Sequence, residues 1–249
     1  MTFNLEDFTE KNYERILDYA VKRYKFITFK NIKATPNFKD KRELLLWRHD
    51  VDFSVHRAFA LAKIEKSFGI NSTYFILLTG NFYNIFEYEI KKLIFKIIDL
   101  GHIIGLHFDP TLYSIKNKNE LEYYLNFEKK ILESLFGKRV LAFSFHNPTS
   151  NIFEFDNFEY AEMINAYAKY YKEKFQYCSD SNGYWRFERL KDFLMSNKIG
   201  NRYVLTHPAW WQQKIMTPRN RIVRCVIGRA NFVMKKYDTL LKSFKRENF

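Results

Sequence analysis

Along this chain, short apolar runs alternate with amphipathic segments, and most of the apolar runs end in a polar cluster. Residues 5–25 place Phe8, Tyr13, Ile16, Leu17 and Ala20 near a 3.6-residue period. That predicts a helix, with Thr9 and Asn12 marking a break or cap inside it. Residues 30–43 are polar, contain Pro36 and read as a loop. The apolar run Leu44–Trp47 opens a buried strand over 44–49. Residues 57–68 read as a helix stopped by Gly69, and the β-branched and aromatic run 70–78 as a strand. Further helices are expected at 87–100, 119–136, 158–168 and 187–196, and further strands at 103–108, 140–145, 177–179 and 203–206. The tail, 229–249, also reads as helical. Strands alternating with helices imply an α/β fold with a largely parallel sheet.

A parallel sheet or barrel carries its site at the carboxyl ends of the strands. The polar clusters fall there: Arg48-His49-Asp50-Val51-Asp52, His107-Phe108-Asp109, His146-Asn147-Pro148, Ser179-Asp180-Ser181-Asn182 and His207-Pro208-Ala209-Trp210-Trp211. Four of the six histidines lie in these clusters, which favours an enzymatic site over solvated loops. Strand side chains alternate, so Asp50 and Asp52 share a face and repel unless a cation or a proton resolves them. His and Asp together suit a divalent ion such as Zn²⁺. Asp52 and His107 are the first candidates. Asp109 lies on the same strand face as His107, and His146 is balanced between site and packing. Asp50 would then take a proton from water and His207 would protonate a leaving group, which describes hydrolysis of an amide or ester. His49 faces away from Asp50 and reads as packing or as support behind the site, His56 as surface, and His102 as a turn residue. Trp210 and Trp211 read either as core or as a sugar-stacking platform.

The order of these segments resembles the polysaccharide deacetylase, or NodB-homology (carbohydrate esterase 4-type), family over residues 44–211. The resemblance rests on Arg-His-Asp-Val-Asp at 48–52, Gly-Ile-Asn-Ser-Thr-Tyr-Phe at 69–75, Gly-His-Ile-Ile-Gly-Leu-His at 101–107 and Leu-Thr-His-Pro at 205–208. It implies a deformed (β/α) barrel and metal-dependent removal of acyl groups from sugars. By it, Asp52 and His107 match metal ligands, His207 the general acid and Asp50 the nearest residue to the base. The family's two aspartates are adjacent, whereas here Val51 separates them. Thr111 stands where the second histidine ligand falls, leaving His146 or Asp109 as the third ligand. Arg48, Asn147, Asp180, Trp185, Arg186, Trp210 and Trp211 make up the expected substrate-binding set. The departures suggest a divergent branch of the kind found in surface-polysaccharide gene clusters.

The 249 residues show no compositional break and read as a single domain, with an N-terminal helical extension (about 1–43) and a basic C-terminal helical segment (about 212–249). Lys and Arg exceed Asp and Glu by 41 to 28, giving +13; over 201–249 the count is 11 to 2. That surplus suits a nucleotide- or lipid-phosphate-linked sugar, or peripheral contact with an anionic membrane. No nucleic-acid motif accompanies it, and no nucleic-acid partner is expected. Cys178 and Cys225 offer neither a disulfide framework nor a zinc pattern. No signal peptide or spanning segment is evident, so a cytoplasmic location is expected. A Zn²⁺ cofactor is expected, with Co²⁺, Ni²⁺ or Mn²⁺ as alternatives. The rival reading is a catalytically inactive sugar-binding protein on the same fold.

Overall fold

The computed structural model describes residues 4–34, 42–185 and 187–247. In chain order the elements are α1 (Glu10–Arg23), β1 (Lys25–Ile27), α2 (Phe29–Ala34), β2 (Leu44–Val51), α3 (Val55–Ser67), β3 (Thr73–Leu77), α4 (Tyr88–Asp99), β4 (Ile103–Phe108) and α5 (Lys118–Phe136). They continue with β5 (Ala142–Phe145), β6 (Glu159–Tyr160), β7 (Met163–Asn165), α6 (Lys169–Lys174), β8 (Phe175–Ser179), α7 (Leu190–Met195), β9 (Asn201–Thr206) and α8 (Pro218–Ser243). The sheet runs β6-β7-β5-β4-β3-β2-β9-β8, with β1 beside the start of β2. Every pairing is parallel except β6 with β7. The sheet curls into a deformed (β/α) barrel with helices outside it.

Local signals set the element ends. Thr9, Ser54 and Asn117 accept from the backbone N–H three residues on and so cap α1, α3 and α5. Gly137 ends α5 with φ 61°, a left-handed conformation that favours glycine. From its second residue on, β2 is buried throughout, as expected of a central parallel strand covered on both sides.

Side-chain alternation sorts the strands into two faces. Trp47 and His49 of β2 face the helices, with α1 and α3 packed over them. Leu46, Phe75, Ala142, Ile164 and Tyr203 point inward and plug the lower barrel with Phe29 and Tyr171. Above Leu46 the same face of β2 carries Arg48, Asp50 and then Asp52 just past the strand. Gly105 belongs to this floor: a Cβ there would stand 2.5 Å from the Phe75 ring, so glycine makes room for that ring.

Several elements differ from the sequence reading. Residues 158–168 form the β6–β7 hairpin, not a helix. Ala161 and Glu162 turn it with φ of 50° and 60°, and β7 buries Met163 and Ile164 beside β5. Sheet completion outweighs the helix propensity of Ala and Glu there. The 5–25 helix breaks at Thr9, as the cap suggested, and ends at Arg23, with Lys25 opening β1. Because β1 pairs with β2, this N-terminal segment contributes to the sheet and is not purely helical. Part of the expected 30–43 loop is α2, while Pro36 lies outside the described residues. The last helix begins at Pro218, eleven residues before the sequence placed it.

Candidate metal centre and catalytic groups

One parity of the strands delivers the site. Asp52 follows β2, His107 lies on β4, His146 follows β5 and His207 follows β9. His107 Nε2 is 3.0 Å from Asp52 Oδ1, His146 Nδ1 is 3.6 Å from the same oxygen, and the two nitrogens are 3.1 Å apart. Three ligands about 2.1 Å from one tetrahedral ion stand roughly 3.4 Å from one another, so the triangle has the size a metal requires. Asp52 Oδ1 is buried with no hydrogen-bond donor, which is the condition of a carboxylate oxygen facing a cation. Burial alone would raise the Asp52 pKa. The close approach of the His107 and His146 imidazoles, with His207, outweighs it and holds the group well below its ordinary value.

Ser144 sets the form of His107. The parallel register places them side by side, and the Ser144 hydroxyl lies 2.7 Å from His107 Nδ1 and donates to Asp50 Oδ1 at 3.2 Å. A hydroxyl that donates to Asp50 accepts from Nδ1–H, which leaves the Nε2 lone pair facing Asp52. His146 meets Asn147 at 2.9 Å through its other nitrogen. Asn147 has φ 43°, a left-handed conformation that Asn tolerates.

Asp50 sits one pleat below Asp52, buried, with Arg48 Nη2 3.6 Å from its Oδ2. The Arg48 guanidinium lies over the rings of Tyr167, Tyr203 and Phe75 at 4.8, 5.4 and 5.5 Å. Burial opposes its charge, but Asp50 and the surrounding tyrosines outweigh that and push its pKa well up. The floor is therefore a buried ion pair in an aromatic sleeve.

On the opposite wall, Asp180 holds His207. Its Oδ1 lies 2.7 Å from His207 Nδ1 and accepts the His207 backbone N–H at 2.9 Å, while its Oδ2 accepts the Trp211 indole N–H at 2.9 Å. His207 Nε2 faces the centre, 3.8 Å from Asp52 Oδ2. Burial alone would lower the His207 pKa. The hydrogen bond and charge of Asp180, with Asp52 and Asp50, push it up to about 9. This imidazole holds its proton at neutral pH.

Asp50, Asp52, His107, His146 and His207 line a cavity of ≈ 760 Å³, whose walls include Phe53, Phe82, Tyr167, Tyr177, Lys172 and Trp210. Arg48, Asn147 and Trp210, expected to meet substrate, lie on it. Asp180 is wholly buried and serves His207 instead. Trp211 is core, packed edge-on against Tyr13. Trp185 stacks on Phe8 and donates to Asp7, away from the cavity. Arg186 lies outside the described residues. Asp109 does not join the cluster: its Oδ1 accepts from Thr111 N and Thr111 Oγ1 and caps the turn Pro110–Leu112. His146 fills that third position. His102 is no turn residue. It is buried, with Ser72 N–H donating to its Nδ1 and its Nε2 2.9 Å from the Ala62 carbonyl. His56 is exposed, and His49 faces the helices as expected. Ser144 and the cavity tyrosines were not anticipated, because only the register between strands reveals them.

No protein-family model matches the chain, and neither does any curated protein. Among solved structures, the Streptococcus pyogenes deacetylase PplD in complex with acetate is similar at 13% identity and TM-score 0.45, over 57% of this chain and 65% of that one. The chitin deacetylase of Colletotrichum lindemuthianum is similar at 14% identity and TM-score 0.44, over 78% and 86%. A CE4 family pseudoenzyme from Bacillus anthracis is similar at 12% and 0.41, over 77% and 62%. The chain thus spans less than two thirds of the first and third of these.

Proposed function

We propose that this chain is a metal-dependent deacylase that hydrolyses an N-acyl group, acetyl or formyl, from a sugar linked to a nucleotide or lipid phosphate in surface-glycan synthesis. One observation carries the reading. The Asp52–His107–His146 triangle lies in a single cavity between a carboxylate paired with Arg48 and a proton-bearing imidazole held by Asp180. The residue set fits a divalent ion, Zn²⁺ first and Co²⁺, Ni²⁺ or Mn²⁺ as alternatives. Such an ion supplies Lewis acidity to the acyl carbonyl and to water.

The chain's own groups do the rest. Asp50, paired with Arg48, accepts the proton of the attacking water. His207 delivers its Nε2 proton to the departing amine, and Asp180 stabilises the imidazolium before that transfer. Ser144 couples the base to the ligand by bridging Asp50 and His107. Phe53, Phe82, Tyr167 and Trp210 offer flat faces of the kind on which sugar rings stack, and Lys172 offers charge to a phosphate.

The test is metal analysis of the purified protein, followed by assay of acetate or formate released from N-acetyl and N-formyl sugar nucleotides and lipid-phosphate sugars. One ion per chain and released acid support the proposal. Metal binding without turnover of any N-acyl sugar would leave a binding protein and sink it.

A further inference from the structure

Helix α8 lies across the end of the barrel on which the cavity opens. Arg221 donates to the Gly183 carbonyl beyond β8, Arg224 to Gln212 beyond β9 and Arg229 to Glu87 beyond β3. Arg221 is the one buried residue of this helix. Its outer side carries Val226, Ile227, Val233, Met234, Tyr237 and Leu240, each 49% to 65% exposed. Their three-, four- and seven-residue spacings place them on one arc, with Phe244 continuing it. Phe86 and Tyr88, beside the Glu87 that holds Arg229, are 64% and 67% exposed and add aromatic surface next to the helix. Lys235, Lys242 and Arg246 project from the opposite arc.

We infer that α8 lies in the plane of an anionic lipid surface. Its apolar arc enters the headgroup boundary, and the cations of its other arc draw it to the anionic surface through a field that reaches about a Debye length. Charge chooses this occupant over a second copy. Residues 218–247 hold nine Lys and Arg against two acids, so a paired helix would bring like charges together with no acidic row to answer them. No described helix is long and apolar enough to cross a membrane, which leaves an in-plane position. With α8 so placed, the barrel end bearing the cavity stands beside the lipid surface. Taken with the deacylase reading, on which this clause alone rests, that suits the lipid-phosphate-linked sugar.

The experiment is co-sedimentation of the full chain with vesicles of phosphatidylcholine alone and of phosphatidylcholine mixed with phosphatidylglycerol, alongside light scattering for mass. Binding to the mixed vesicles should be at least about ten-fold stronger and should weaken with salt. The double variants Val233→Glu with Met234→Glu and Lys235→Glu with Lys242→Glu should each lose it while keeping the parental circular dichroism and metal content. Equal binding to both vesicles, binding to neither, or a dimer that Val233→Glu dissolves would each overturn the inference. No substrate enters the assay, so failure here is distinct from failure of the deacylase reading.

Discussion

The hydroxyl of Ser144 lies 2.7 Å from His107 Nδ1 and so sets which ring nitrogen is free to hold a metal. Ser144→Ala should leave the fold intact and weaken metal affinity by about 10- to 100-fold, as loss of a partner behind a ligating histidine does. Titration of the metal-free protein against a chelator of known affinity measures this. Unchanged affinity would show that His107 needs no such support.

Removal of any one of the triangle's side chains should abolish tight metal binding. Asp52→Ala, His107→Ala and His146→Ala are expected to lose the ion, whereas Asp109→Ala and Thr111→Ala should retain it. Atomic-absorption measurement on dialysed protein separates the two groups. An Asp109→Ala protein without metal would move the third ligand back to that loop.

Asp180→Asn should act through His207. At about 9 the His207 pKa keeps the acid protonated below that pH and lets the proton go above it. The kcat profile should therefore fall on its alkaline side. Without the Asp180 charge that limb should move down toward the ordinary imidazole value, about 6.5, with kcat at neutral pH reduced by roughly 10²- to 10⁴-fold. An unshifted limb would remove His207 as the acid. Asp50→Asn, by contrast, should lose turnover and keep metal.

Glu128 supplies a prediction about stability away from the cavity. Its Oε1 accepts from Tyr113 and its buried Oε2 has no donor. Burial pushes its pKa up to about 7 against an ordinary 4.5, despite the Tyr113 hydrogen bond. The folded carboxyl thus holds its proton until about pH 7, while the unfolded chain releases it near 4.5. Native stability falls between those values and stays reduced above them, by roughly 3 kcal/mol. Glu128→Gln should raise the melting temperature by several degrees at about pH 8 and hardly at all at about pH 4. Equal gains at both would refute the protonation argument.

The strands with uninterrupted apolar runs, β2, β3, β4 and β9, were legible because burial on both faces leaves no polar alternation to confuse them. Asp52, His107 and His207 were legible because each closes such a run. The third corner was not. Choosing His146 over Asp109 depends on the register of β5 beside β4, and nothing local in the chain encodes it. The β6–β7 hairpin was hidden for a similar reason: residues 158–168 carry helix-compatible spacing, and only the vacant edge of β5 makes them extended. Trp211 was misplaced because an indole beside a candidate acid looks the same in sequence whether it faces a sugar or, as here, Asp180; Trp185 was misplaced because nothing local in the chain shows that it turns to Phe8 and Asp7.

With Thr111 spending its hydroxyl on Asp109, the loop after β4 has no stake in the triangle, whose corners all stand on or directly after sheet strands. The centre thereby inherits the stiffness of the sheet. Within residues 110–116, Tyr113 stays tied to Phe108 and Glu128, but exposed Thr111 and Leu112 are released to vary at the rim without touching the three corners.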